Sequence, residues 1–202
     1  MIENPVNRQV DVLLASQSPR RQTLLTQIGV RFDVITVAVP EEHQSGESPA
    51  TYVQRLSLEK AAAGSRRRPD LPVLGADTVV VLNDEILEKP RDRAHGLAML
   101  AQLSGAEHRV LTGIAVCLGD RQWQRVVQTR VRFRPIETAE AERYWDTGEP
   151  ADKAGGYGIQ GLGAVFVEHL EGSYSNVVGL PLTETSQLLA LAGVPMWMEL
   201  TA

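Results

Sequence analysis

One carboxylate, Asp77, sits inside the most apolar run of the chain, Val73-Leu74-Gly75-Ala76-Asp77-Thr78-Val79-Val80-Val81. Branched residues at this density predict a buried strand over 72–82. A carboxylate is expensive to bury without a partner, and Gly75 and Ala76 leave space beside it. Asp77 is therefore expected to act as a metal ligand, a general base or a charge partner. The structural alternative is an ion pair or a bulge at the strand end.

The rest of the chain supplies helices and further strands around that run. Residues 10–15 read as a short strand, Ser16 to Pro19 as a turn, and Pro19 as the first turn of a helix to about Ile28, stopped by Gly29. Phe32 to Val39 reads as a strand. Pro49 to Ser65 carries Tyr52, Val53, Leu56 and Ala63 at helical spacing, and Arg66-Arg67-Arg68 reads as its solvated end. Asn83-Asp84 predicts a hairpin turn into Ile86-Leu87. Arg91 to Leu103 and Glu137 to Asp146 read as helices. Val110 to Leu118 and Trp123 to Phe133 read as two long strands around Gly119-Asp120. A glycine-rich segment, 153–163, precedes a strand over 164–170, and 182–191 reads as the last helix. The alternation lacks strict βαβ order, so the expected class is α/β with a long mixed β-sheet and flanking helices.

Composition removes whole classes. The 202 residues suit one domain over 1–202, with 1–9 as a loose N-terminal arm. A single cysteine, Cys117, excludes an internal disulfide and reads as core. A net charge of −5 and a pI near 5.4 argue against a nucleic-acid-coating protein, so no nucleic acid is expected as partner. The longest apolar stretch, 188–198, is broken by Gly193 and Pro195, so no membrane span is expected and the cytoplasm is the simplest residence. His43, His95, His108 and His169 are scattered without zinc-ligand spacing.

Two further segments carry chemistry. Ala15-Ser16-Gln17-Ser18-Pro19-Arg20-Arg21 lies where a strand feeds a helix. Free N–H groups, two hydroxyls and two guanidiniums there suit phosphate; the alternative is an N-cap followed by surface arginines. Asp152-Lys153-Ala154-Gly155-Gly156-Tyr157-Gly158-Ile159-Gln160-Gly161 contains a literal G-x-G-x-x-G, but a strand follows it where a dinucleotide site needs a helix. Its glycines are expected to let backbone approach a ligand closely. Gln160, with a donor and an acceptor, suits a base edge. Lys89, in Glu88-Lys89-Pro90, means little alone.

Eight ordered blocks together resemble the Maf family of nucleotide pyrophosphatases. They are LLASQSPRRQTLL at 13–25, LEKA at 58–61, VLGADTVV at 73–80, ILEKP at 86–90, LSG at 103–105, TGIAV at 112–116, DKAGGYGIQG at 152–161 and GSYSNVVGLPL at 172–182. The resemblance implies an inosine-triphosphate-pyrophosphatase-like fold, with two lobes around a cleft, and a homodimer. It implies Asp77 as proton acceptor, and Ser16, Arg21, Lys60, Lys89 and Lys153 along the phosphate site. Arg20, Thr78 and Gln160 match the branch acting on dTTP and UTP rather than the 7-methyl-GTP branch. The cofactor implied is Mg²⁺ or Mn²⁺, held by Asp77 and by Glu41, although this chain reads Pro40-Glu41-Glu42 where the family often has Asp-Glu. A chain of net charge −5 is expected to bind a nucleoside triphosphate through a locally basic pocket. The rival expectation from another class is a nucleotide-binding regulator of cell division or septum formation.

Overall fold

The computed structural model describes residues 10–197, so the arm expected over 1–9 lies outside the described residues. Its elements in chain order are β1 (Val12–Leu14), α1 (Pro19–Gln27), β2 (Phe32–Val34), α2 (Pro49–Arg67), β3 (Val73–Leu82), β4 (Glu85–Leu87), α3 (Arg93–Leu103), β5 (Glu107–Leu118), β6 (Arg121–Phe133), α4 (Thr138–Asp146), β7 (Val167–Glu171), α5 (Tyr174–Val178) and α6 (Leu182–Leu191). The seven strands form one sheet in the order β2-β1-β3-β5-β6-β7, with β4 also on β3. β1 pairs in parallel with β2 and β3, and the other pairings are antiparallel, so the sheet is mixed as expected.

β3 runs through the middle of this sheet, and its edges explain where a cleft can form. On one side β5 pairs with it continuously from Val73 to Val81. On the other side β1 reaches only Val73 and Leu74, and β4 begins only at Val80. Residues 76–79 therefore have a partner strand on one side alone, leaving a notch in the sheet at Asp77 and Thr78. The two largest apolar clusters lie at opposite ends of β3. One gathers Leu74 and Ala76 with β1, α1 and α6; the other gathers Val80 and Leu82 with α3, α4 and Phe133. Ile159 packs against both.

α2 covers the face of β3 that carries Asp77. Its buried residues Val53, Leu56, Ser57, Lys60, Ala61 and Gly64 recur at three- and four-residue steps, the period of a helix face. The helix sits unusually close. A Cβ on Gly75 would lie 2.2 Å from the Ser57 carbonyl, and one on Gly113 would lie 2.1 Å from the Val53 carbonyl. Only glycine admits the α2 backbone there, and this depth brings Lys60 down to the level of Asp77.

Several boundaries differ from the sequence reading for local reasons. The strand expected over 32–39 stops at Val34, because β1 ends at Leu14 and the last ladder bond is Ile35 N–H to Leu14 C=O. The helix expected from Arg91 starts at Arg93, because Asp92 caps it by accepting from the His95 N–H at 2.8 Å. The strand expected over 164–170 begins at Val167; residues 162–166 form a 3₁₀ turn. The hairpin at Asn83-Asp84 has both residues at positive φ, 50° and 66°, matching the turn expected there. α5 was not foreseen.

Candidate active site

The notch opens into a cleft of about 1010 Å³. Ser16, Arg20, Arg21, Lys60, Thr78, Lys89, Lys153 and Gln160 all line it, as do Asp77 and Glu41. The ten expected site residues, drawn from six separate stretches of sequence, are thus brought to one place.

Asp77 and Thr78 project from opposite faces of β3, and each has its own set of partners. On the α2 face, the buried Lys60 ammonium donates to Asp77 Oδ1 at 2.7 Å and lies 2.6 Å from Glu41 Oε1. One cation thus bridges the two carboxylates expected to hold metal. Partial burial disfavours the Glu41 charge, but the Lys60 hydrogen bond and charge, with Lys89 and Arg21 behind it, hold its carboxyl below the ordinary range. Tyr52 donates its hydroxyl to the Glu41 backbone carbonyl at 2.9 Å, which ties the loop before α2 to the helix. Burial, with the Asp77 and Glu41 charges, pushes that phenol up to about 12, so it stays a donor.

On the other face, Arg21 organises the strand-to-helix junction. Its Nε donates to the Gly179 carbonyl at 2.8 Å, and its two terminal nitrogens donate to Ser16 Oγ at 3.0 Å and Thr78 Oγ1 at 3.1 Å. Burial pulls the guanidinium below its usual range, against the attraction of Asp77, yet an arginine remains charged throughout. Behind Thr78 a buried chain of polar groups continues. Thr78 and Thr112 hydroxyls lie 2.9 Å apart, Thr112 donates to the Asn176 carbonyl, and the Asn176 amide donates to Val110 C=O and Thr129 Oγ1, both at 3.0 Å. α5, capped by Ser173, is pinned by this chain and presents Gly179 to Arg21. No side chain caps α1 and its first turn holds no acid.

The glycine-rich segment forms the opposite wall. Arg20 reaches it, 3.5 Å from Asp152. Lys153 donates to the Glu149 carbonyl at 2.8 Å and to Asp152 Oδ1 at 2.6 Å. The Gln160 amide is exposed and makes no hydrogen bond among the described residues. Gly161 and Gly163 have a structural cause within the loop itself. The Glu149 carboxylate accepts from Leu162 N–H at 2.8 Å, Gly163 N–H at 3.0 Å and the Tyr144 hydroxyl at 2.8 Å. A Cβ on Gly161 would lie 2.1 Å from Glu149 Oε2, and one on Gly163 would lie 2.6 Å from the Tyr144 oxygen. Glu149 escaped the sequence reading. The signal for it was the glycine spacing, which marks a group passing close by.

The charge of the cleft also departs from expectation. Five cations line it (Arg20, Arg21, Lys60, Lys89, Lys153), but five acids do so too (Glu41, Asp77, Glu88, Glu149, Asp152). It is a balanced pocket, not a basic one. Among the described residues no group of three or more His, Cys, Asp or Glu forms a metal cage. Two neighbouring carboxylates still suit Mg²⁺, which commonly takes one or two from protein and completes its shell with water and phosphate oxygens. The residues present therefore fit a cation that is shared with a phosphate ligand.

Comparison with known proteins places the chain. The family model described as "Maf-like protein" matches residues 11–192. The chain belongs to the Maf family. A Maf relative from Saccharophagus degradans, named dTTP/UTP pyrophosphatase, is 55% identical over 201 residues, covering 98% of this chain and 96% of that one. Another of the same name from Alkalilimnicola ehrlichii is 58% identical over 184 residues, covering 88% and 91%. Among solved structures, the Ham1 protein of Staphylococcus aureus is similar at 13% identity and a TM-score of 0.41, covering 63% of this chain and 72% of that one. That likeness is too loose to bear on the Maf site. No helix among the described residues is long and apolar enough to cross a membrane.

Proposed function

We propose that this Maf protein hydrolyses dTTP and UTP to the nucleoside monophosphate and pyrophosphate. The observation that carries the reading is the gathering of Asp77, five cations and an unbonded amide, Gln160, on one cleft. The names of relatives more than half identical support it.

The residues divide the work by position. Ser16, Arg21, Lys60, Lys89 and Lys153 take the phosphates, with Arg21 offering a fork already oriented by Gly179 and Thr78. Asp77 accepts the proton of the attacking water, whose oxygen forms the new bond to phosphorus as the bond to pyrophosphate breaks. Arg20, Thr78 and Gln160 bound the base. The balanced charge of the lining leaves a triphosphate in need of further positive charge. A divalent cation held by Glu41 and Asp77 would supply it on the phosphate oxygens. Lys60, which bridges the two carboxylates, is placed to meet both the cation they hold and the phosphates.

We take the protein to act in the cytoplasm as one domain and as a homodimer, a state that light scattering on the purified protein tests. The function is tested by a panel of nucleoside triphosphates with pyrophosphate readout, with and without chelator. dTTP and UTP are expected to lead, with activity lost on chelation. A lead by 7-methyl-GTP or a purine triphosphate overturns the substrate, and full activity after exhaustive chelation overturns the metal.

A further inference from the structure

The backbone that carries Gln160 is fixed by Glu149, a cleft-lining acid whose carboxylate is turned to the loop backbone. Glu149 is reached from Leu162 and Gly163 by their N–H groups, and from the side by the Tyr144 hydroxyl. Tyr144 in turn accepts from Gly158 N–H at 3.1 Å. The two residues therefore grip the chain on both sides of Gln160, at 158 and at 162–163, while Gln160 itself makes no bond. Gly161 is the contact that leaves least room, since any side chain there would meet the carboxylate. A carboxylate accepting several backbone bonds is a strong and rigid anchor.

We propose that Glu149, with Tyr144, is the positioning residue for base selection: it sets the backbone from which Gln160 meets the pyrimidine. The proposal rests on the dTTP and UTP reading above. The Gln160 amide can turn to present either its donor or its acceptor, but a fixed backbone sets the distance and angle from which it does so, and a loose loop does not. Selectivity then depends on a side chain whose hydrogen bonds go to the loop and not to the amide that meets the base.

The test is Glu149→Gln. The amide nitrogen that replaces one oxygen faces an N–H donor, at Leu162 or at Gly163, and loses that bond. Two readouts are needed: kcat/KM for dTTP and for CTP, and amide hydrogen exchange across 158–163. Faster exchange together with at least about a fivefold fall in the dTTP-to-CTP ratio, carried mainly by KM for dTTP, supports the proposal. Faster exchange with a ratio within twofold of wild type overturns it, because the anchor is then structural alone. An unchanged ratio with unchanged exchange overturns it too. If Glu149→Gln does not fold, Tyr144→Phe decides on the same ratio: a fall supports the proposal and no change overturns it. A wild-type protein that does not favour dTTP over CTP overturns the substrate reading first, and is recognised before any variant is made.

Discussion

The two walls of the cleft are built on opposite plans. At the α1 wall the functional side chain is itself immobilised: all three nitrogens of Arg21 are engaged, with Gly179, Ser16 and Thr78. At the glycine wall the backbone is immobilised by Glu149 and Tyr144, and the functional side chain, Gln160, is left unbonded. On the proposed function, the difference follows from what each wall has to recognise. Phosphate is the same in every nucleotide, so its partner gains from being fixed in advance. A base is known only when it arrives, and an amide without protein partners keeps its donor and acceptor for it.

The largest effect is expected where the walls meet. Asp77→Asn keeps the shape of β3 but removes the proposed proton acceptor, and turnover is expected to fall about 10²-fold or more. Steady-state kinetics with a circular-dichroism check of folding measures this; near-normal turnover in a folded variant removes Asp77 as base.

Next comes the fixed wall. Arg21→Lys keeps the charge but loses the fork, and a lysine cannot reach Gly179, Ser16 and Thr78 together. We expect kcat/KM to fall about 10-fold or more, by the same factor for every triphosphate, since hydrogen bonds to charged groups contribute about 1.5–3 kcal/mol. A loss that depends on the base would erase the contrast between the walls.

The open wall should behave the other way. Gln160→Glu removes the donor, and a carboxylate cannot donate to a pyrimidine carbonyl. The dTTP-to-CTP ratio is expected to fall about fivefold or more, with stability unchanged because the side chain is exposed. The expected mismatch arises on binding, when the exposed side chain meets the base.

The smallest effect on the cleft is expected from His108, fully buried beneath it. Its Nε2 lies 2.8 Å from the Tyr157 hydroxyl, and burial pulls its pKa down from 6.5 to about 4. The unfolded chain therefore takes up a proton that the folded protein refuses between those values. This contribution is fully present above pH 6.5 and is lost as pH falls towards about 4. The whole of it is on the order of 3 kcal/mol. Urea titrations at several pH values should show the slope, and His108→Gln should flatten it while leaving base preference alone.

Legibility in the sequence tracked the range of the interactions involved. β3 and the hairpin at Asn83-Asp84 are written locally, in branched residues and in two residues able to adopt positive φ. The expected site residues lie in motifs that are local in sequence, and the fold gathers them on one cleft. α5 was not legible: no element is expected over residues 174–178 from the sequence, and it is Asn176 bonding to β5 and β6 that holds them helical. Nor was the balanced charge of the cleft, because its acids come from segments whose neighbourhood only the tertiary structure sets.

Gly75 and Gly113 touch no part of the cleft, yet they set how deeply α2 beds onto the sheet and hence whether Lys60 reaches Asp77. In a saturation screen scored by growth or turnover, both should be as intolerant as the acid itself. A methyl group at either would lift a whole helix by a fraction of its diameter and part a cation from its carboxylates. Genetics would thus report two silent hinges of activity that no ligand map contains, and chemical rescue by added amines is the natural way to tell them from residues that do the chemistry.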